Sequence, residues 1–230
     1  MGERMFTETE SKQRLYRIVD FSRAVQVFER RELYFTSPGA WDDPYENRIL
    51  HAKSGNLFSQ CWCTSGMSDA MWRIYSHNGL GVRLSTSAGK LMASVRDAAR
   101  LNGYKCRGRK VDYLTQRDLN RKAKVIAAEL RERFEIGRAV DMLYMKRDAF
   151  NHELEWRATL YCPSDSKDGP TGIAVPVDPH KLIDRVLLDP RAPEELVSAL
   201  KFYFEKKLKF KGEVTRSVLY RSPRPLLVED

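Results

Sequence analysis

No apolar run in this 230-residue chain approaches the roughly 18 residues that a membrane-spanning helix requires, so the sequence predicts no membrane partner. The glycine-rich patterns GxxxxGKS/T and GxGxxG are absent, and so is GxSxG. These absences remove P-loop, dinucleotide-fold and nucleophile-elbow chemistry. Histidine is scarce: His51, His77, His152 and His180 are scattered, with no HExxH to build a metalloprotease helix. Four cysteines (Cys61, Cys63, Cys106 and Cys162) include no CxxC pair. Cys61 and Cys63 fall on one face of a strand, which is not zinc spacing, and reduced thiols in a cytoplasm are expected. The opening residues 1–13 are polar and lack the apolar stretch of a secretory signal. No internal repeat, heptad run or low-complexity tract is present.

Acidic residues are short in one region only. Residues 96–138 hold 13 basic and 6 acidic side chains, whereas 1–95 hold 12 and 10, and 139–230 hold 15 and 15. The middle block therefore carries +7 of the net +9. Such asymmetry suits a polyanion, of which nucleic acid is the commonest, although a solvated basic face gives the same count. The candidate phosphate contacts are Lys105, Arg107, Arg109, Lys110, Arg121, Lys122 and Lys124.

Periodicity places strands at 14–18, 33–36, 57–64, 82–85, 111–114, 172–177, 185–188 and 214–220. Helices are expected at 21–32, 68–76, 87–102, 115–138 and 193–208, with a further helix over 134–149 broken at Gly137. Residues 105–110 read as a basic turn and 163–172 as an exposed polar loop. Strands and helices mix without strict βαβ alternation. The expectation is an α+β fold: a polar leader at 1–13, one domain over 14–222 with a basic helical insertion at about 96–138, and a tail at 223–230.

The stretch 150–160, FNHELEWRATL, is the most informative. Taken as a strand, it puts Glu153, Glu155, Arg157 and Thr159 on one face and Leu154, Trp156, Ala158 and Leu160 on the other. On a wet face the two acids are cross-strand ion pairs. Lining a cleft, they shift each other's pKa and become candidates for chemistry. Asp42, Asp43 and Glu46 in the turn-rich segment 41–47, WDDPYEN, together with Glu153 and Glu155, leave open a carboxylate site for Mg²⁺.

The order of LYRI (15–18), LYFTSPGAWDDPYE (33–46), MWRIYSHNGLGVRL (71–84) and ELEWR (153–157) resembles a widespread bacterial and phage family of uncharacterised domains. A basic residue on a first strand, Ser/Thr on a second and Glu-x-Glu on a later one is also similar to the mono-ADP-ribosyltransferases. That second resemblance implies a split, mixed and mostly antiparallel β-sheet flanked by helices and clamping NAD as substrate. It implies Glu155 as the catalytic glutamate and Glu153 as the group that orients or deprotonates the acceptor. Arg17 would meet an NAD phosphate or ribose, and Thr36 and Ser37 would support the nicotinamide ribose, although Thr36-Ser37-Pro38 departs from a full Ser-Thr-Ser. Aromatics such as Tyr34, Tyr45, Trp72 or Tyr75 would stack on nicotinamide or adenine. The NAD-binding set is then Tyr16, Arg17, Thr36, Ser37, Asp43, Trp72 and Tyr75, with no metal.

With the basic block supplying the acceptor, the leading expectation is an ADP-ribosyltransferase acting on RNA or DNA in the cytoplasm. The setting would be that of a toxin or phage-defence effector, with an antitoxin or chaperone as a further partner. The alternatives are a nucleic-acid-binding module without catalysis and a Mg²⁺-dependent nuclease.

Overall fold

The computed structural model describes residues 6–163 and 169–226. Residues 1–5 of the leader, 164–168 of the polar loop and 227–230 of the tail lie outside the described residues. The chain opens with a short helix, α1 (Glu8–Lys12), closed at its start by a reciprocal capping box between Thr7 and Glu10. β1 (Arg14–Asp20), α2 (Phe21–Arg30) and β2 (Glu32–Thr36) follow as the alternation predicts. Next come β3 (Leu57–Cys63), α3 (Asp69–Tyr75), β4 (Gly81–Ser87) and α4 (Ala88–Leu101). The basic region supplies β5 (Lys105–Lys110), β6 (Asp112–Leu114), α5 (Gln116–Glu132), α6 (Ile136–Asp141) and β7 (Met145–Arg147). The chain then runs through β8 (Glu155–Tyr161), β9 (Gly172–Pro176), α7 (Pro179–Leu182), β10 (Arg185–Leu188), α8 (Glu194–Phe202) and β11 (Glu213–Arg216).

A nine-stranded sheet forms the centre, and all its pairings are antiparallel except β10 with β11. β3 is its hub. Along one edge β3 pairs over its full length with β8, from Leu57 opposite Tyr161 to Cys63 opposite Glu155. Along the other edge it meets two strands at opposite ends: β2 at Ser59, opposite Thr36, and β1 at Cys63, opposite Tyr16. The sheet therefore splits where β1 and β2 part. One wing carries β1, β4, β10 and β11, and the other carries β2 and β9.

Burial follows the alternation. Leu15, Val82, Leu84, Trp62, Trp156, Ala158 and Leu160 point to one face, where Ala24 and Phe28 of α2 and Leu91, Met92 and Val95 of α4 close the main core. On the opposite face Leu57 and Tyr161 meet Val140, Leu143 and Tyr144 in a smaller core. The rest of that second face is polar.

Several expectations are corrected. Within the basic region, residues 105–110, read as a basic turn, form β5 within the sheet, paired with β8. A Cβ on Gly108 would lie 2.4 Å from the Trp156 ring and 2.6 Å from Met92 Sδ, so glycine lets β5 pass over the core. Helix over 134–149 gives way after α6 to a 3-10 turn, Met142–Tyr144, and to β7, whose backbone pairs in parallel with β6. The strand expected over 150–160 begins only at Glu155. Asp148–Glu153 is a 3-10 turn, and Leu154 takes a left-handed conformation (φ 43°) that leaves its side chain 42% exposed rather than in the core. Phe150 lies under Lys146 and Arg147, at 4.8 and 5.3 Å, and these cations hold the turn where sheet neighbours were expected. At the C-terminal end β11 stops at Arg216, short of the expected 220, and α8 passes into a π turn at Tyr203–Lys207.

Among the described residues no helix is long and apolar enough to cross a membrane. The four cysteines are free thiols.

Candidate active site

Register across the polar face puts Glu155, Cys63, Tyr16, Ser85 and Arg185 in one row over five adjacent strands. Directly paired residues share a face, and Glu155, Cys63 and Tyr16 of this row line the floor of a cleft. α3 stands over the row, and between them lies a cleft of about 390 Å³, within the range of small-molecule sites. Its lining includes Tyr16, Arg17, Trp72, Tyr75, Arg83, Glu153 and Glu155.

Both glutamates reach the cleft despite the broken strand, because one lysine gathers them. Lys146 Nζ donates to Glu155 Oε1 at 2.7 Å and makes a close ion pair with Glu153. Arg157 donates through Nε to Glu155, ion-pairs with Glu46 and gives its Nη1 to the Leu143 carbonyl at 2.6 Å. Its guanidinium lies 4.3 Å from the Trp41 ring centroid. Tyr113 accepts the Glu155 backbone N–H at 2.8 Å, and the Tyr75 hydroxyl reaches Glu153 Oε1 at 3.5 Å. The side chains of Glu46, Lys146, Glu153, Glu155 and Arg157 are all nearly sealed from water.

Burial sets the two acids apart. It pushes the Glu153 carboxyl up, with help from its hydrogen bond to Glu155, to about 7, against the opposing pull of Lys146. Burial also acts upward on Glu155, but the charges and hydrogen bonds of Arg157 and Lys146 outweigh it and hold that carboxyl down at about 2. Burial also pushes the Glu46 carboxyl up, against the pull of Arg157 and Lys146, and pairing of the three acids with these two cations is how such a cluster tolerates burial. Environments that separate the pKa values of neighbouring carboxyls assign them different roles. Cys61 beside them is no nucleophile, because burial and then Glu155 push its thiol up to about 12.

The opposite wall is cationic and aromatic. β1 parts from β3 beyond Tyr16, and the half-buried Arg17 enters the cleft at that opening. Its Nη1 is sealed from solvent and has no hydrogen-bond partner among the described residues. Desolvation lowers the Arg17 pKa, against the pull of Cys61 and Tyr75. Arg83 stacks 4.6 Å from the Tyr16 ring centroid. Trp72 is fully buried at the base of α3, and Tyr75 is 42% exposed at the mouth.

α3 is itself anchored. Ser68 caps its first turn. At its end the Ser76 hydroxyl donates to Asp189 Oδ2 at 2.5 Å, and Arg191 donates both to Asp189 and to the Ser76 carbonyl.

Of the residues singled out from sequence, Tyr16, Arg17, Trp72, Tyr75, Glu153 and Glu155 come together in this cleft. Thr36 lies at the β2–β3–β9 junction and Ser37 donates its backbone N–H to the Thr171 carbonyl; neither lines the cleft. Asp43 is buried and ion-paired to Arg147 at 2.9 Å, also outside it. Tyr34 is 48% exposed on β2, and Tyr45 is covered by Arg147 at 4.5 Å. Lys146, Tyr113 and Arg83 were missed. The first two depend on the pairing of β6 with β7, which joins residues about thirty positions apart and leaves no local signal. Arg83 was within reach, since it alternates with Ser85 on a strand that the pattern located.

The basic residues fall on β5 and α5. Arg107 pairs with Asp141, Arg109 with Asp112 and Arg121 with Asp118. Lys105, Lys110, Lys122 and Lys124 are exposed and have no ion pair among the described residues. Arg109 lies directly across from Arg157 and Arg107 from Thr159, so the basic surface begins one strand from the carboxylate cluster. Glu46, Glu153 and Glu155 do converge, as a metal reading requires, but on Lys146 and Arg157. Among the described residues no group of three His, Cys, Asp or Glu is arranged to hold a metal ion.

A family model described as a protein of unknown function (DUF2971) matches residues 71–158, from α3 to β8, less than half of the chain but including both glutamates. A search of curated proteins finds no match. Solved structures that resemble the chain include Thermus sp. 2.9 DarT in complex with NAD+, at 10% identity over 93% of this chain and 98% of that one, with a TM-score of 0.41. The same protein in complex with ADP-ribosylated ssDNA aligns at 10% identity over 94% and 98%, with a TM-score of 0.42. Likeness at this level leaves the chemistry of this chain to its own residues.

Proposed function

We propose that this cleft binds NAD and transfers its ADP-ribose to a nucleic acid, as the resemblance to ADP-ribosyltransferases implies. The observation that carries the reading is the meeting, within one cleft, of an arginine whose Nη1 is sealed from solvent and unpartnered among the described residues with two carboxyls whose pKa values are pushed in opposite directions. Arg17, which pairs with no carboxylate among the described residues, is matched to the diphosphate. Tyr16, Trp72 and Tyr75 offer aromatic surface for a base or for nicotinamide.

Glu155 stays ionised and faces the sugar. As the bond between ribose C1′ and the nicotinamide nitrogen breaks, the bond's electron pair leaves with nicotinamide and positive charge develops on the ribose, which a fixed carboxylate stabilises. Lys146 and Arg157 hold Glu155 in place without neutralising it by protonation. Glu153, poised near neutrality, accepts the proton that the acceptor loses as it bonds to C1′. The basic surface of β5 and α5 leads away from Glu155 and suits a phosphate backbone. The expected cytoplasmic setting, the toxin or phage-defence role and an antitoxin partner belong to this proposal.

The test is incubation of the protein with NAD labelled in its adenylate half and with separate pools of RNA, DNA and protein. Label on a nucleic acid with wild type, and none with Glu155→Gln, supports the reading. Salt-sensitive nucleic-acid binding by both proteins without label transfer or NAD consumption contradicts it and leaves a binding module.

A further inference from the structure

Beyond Arg17, the polar face carries a second group of unsatisfied donors. Arg83 is 8% exposed and Ser85 1% exposed, and both lie on β4 with side chains on the polar face of the sheet, Arg83 lining the cleft and Ser85 lying beside it. Arg185 of β10 lies directly across from Ser85. Arg83 Nε, Ser85 Oγ and Arg185 Nε are all sealed from solvent and have no hydrogen-bond partner among the described residues. Elsewhere on these side chains Arg83 Nη1 donates to the Gly66 carbonyl, and Arg185 Nη2 donates to Glu213 Oε1 at 2.7 Å and to Thr215 Oγ1 at 3.3 Å. Buried polar atoms are rarely left unmet in a native protein, and each such exception asks for a partner. Two arginines side by side also repel, and Arg83 is lowered first by desolvation and further by Arg185. Stacking on Tyr16 holds the Arg83 guanidinium still, so an incoming anion would meet donors already in position.

We infer that Arg83, Ser85 and Arg185 form a phosphate-binding subsite, distinct from Arg17, that extends from Arg83 beyond the end of the cleft away from the carboxylates. Ser85 stands three strands from Glu155 in the same row, about 14 Å at ordinary strand spacing. A phosphate held there belongs either to the nucleotide substrate or to the acceptor strand. This assignment rests on the nucleotide reading of the cleft for the carrier of the phosphate, and its test needs no turnover.

Binding of adenosine, ADP and a short oligonucleotide is measured by calorimetry for wild type, Ser85→Ala, Arg185→Gln and Arg83→Gln. The expected result is a loss of about tenfold in affinity for ADP with adenosine unchanged, or the same loss for the oligonucleotide, and the affected probe names the source. Should Arg83→Gln fail to fold, the other two variants decide. Unchanged affinity for both phosphate-bearing probes, or no binding of either by the wild type, overturns the inference. A protein that shows the expected losses yet releases no nicotinamide from NAD would contradict the transferase reading and leave the subsite standing.

Discussion

Two glutamates that share one buried lysine cannot both ionise freely. Glu153 holds its proton up to about pH 7, above its ordinary value of 4.5. Between those values the native state keeps a proton that the unfolded chain has released, so stability falls as pH rises through that window and levels off above it. Glu155 has the opposite sign: its contribution is present above its ordinary value and is lost as pH falls towards 2. For the reaction, a base with a pKa near 7 predicts a transfer rate that climbs through neutrality and then flattens. Glu153→Gln is expected to abolish that limb and to slow transfer by about 10²–10⁴-fold. A pH–rate profile unchanged by the substitution would remove Glu153 from the proton transfer. Lys146 is the other sensitive position. Lys146→Met leaves Glu153 and Glu155 without their shared cation, and urea denaturation is expected to show a loss of roughly 3–5 kcal/mol.

Elements rather than single residues bring these groups together. The 3-10 turn and the left-handed Leu154 change the direction of the chain so that Glu153 and Glu155 both face Lys146. A left-handed leucine is strained by about 1–2 kcal/mol, and its side chain is 42% exposed. Leu154→Gly is therefore expected to leave activity intact and to raise stability by up to about 1 kcal/mol in urea; a clear loss of stability would show that the leucine packs. This turn also marks the limit of what pattern reading could reach. Trp156, Ala158 and Leu160 were legible because alternation on a central strand is local information. The turn before them was not, since its conformation is held by Lys146 and Arg147 over Phe150, and those cations sit on a strand formed only by pairing with β6. Likewise Lys105–Lys110 had no apolar alternation to announce a strand, and Gly108 had meaning only beside Trp156 and Met92. Thr36 and Ser37 were found on the expected strand end, yet β2 lies on the wing of the split sheet away from the cleft.

At the scale of the whole molecule, the split sheet sets a nucleotide-sized cleft on one wing and a basic surface beyond β8 on the other side of the carboxylates. Lys122 and Lys124 of α5 are exposed and have no ion pair among the described residues, so on the proposed reading they would act on nucleic-acid affinity without touching the cleft. Replacing both with alanine is expected to weaken oligonucleotide binding and to shallow the slope of log K against log salt by about 2, with NAD affinity unchanged. An unaltered slope would make this face an ordinary solvated one. The central claim is that Glu155 acts on the nicotinamide–ribose bond. Its most direct measurement is the rate of nicotinamide release from saturating NAD in the presence of nucleic acid, for wild type and Glu155→Gln, alongside NAD affinity. The account predicts release by wild type, a loss of at least about 10²-fold in the variant, and NAD binding retained by both. Release at the same rate from the two proteins, or from neither, would contradict it.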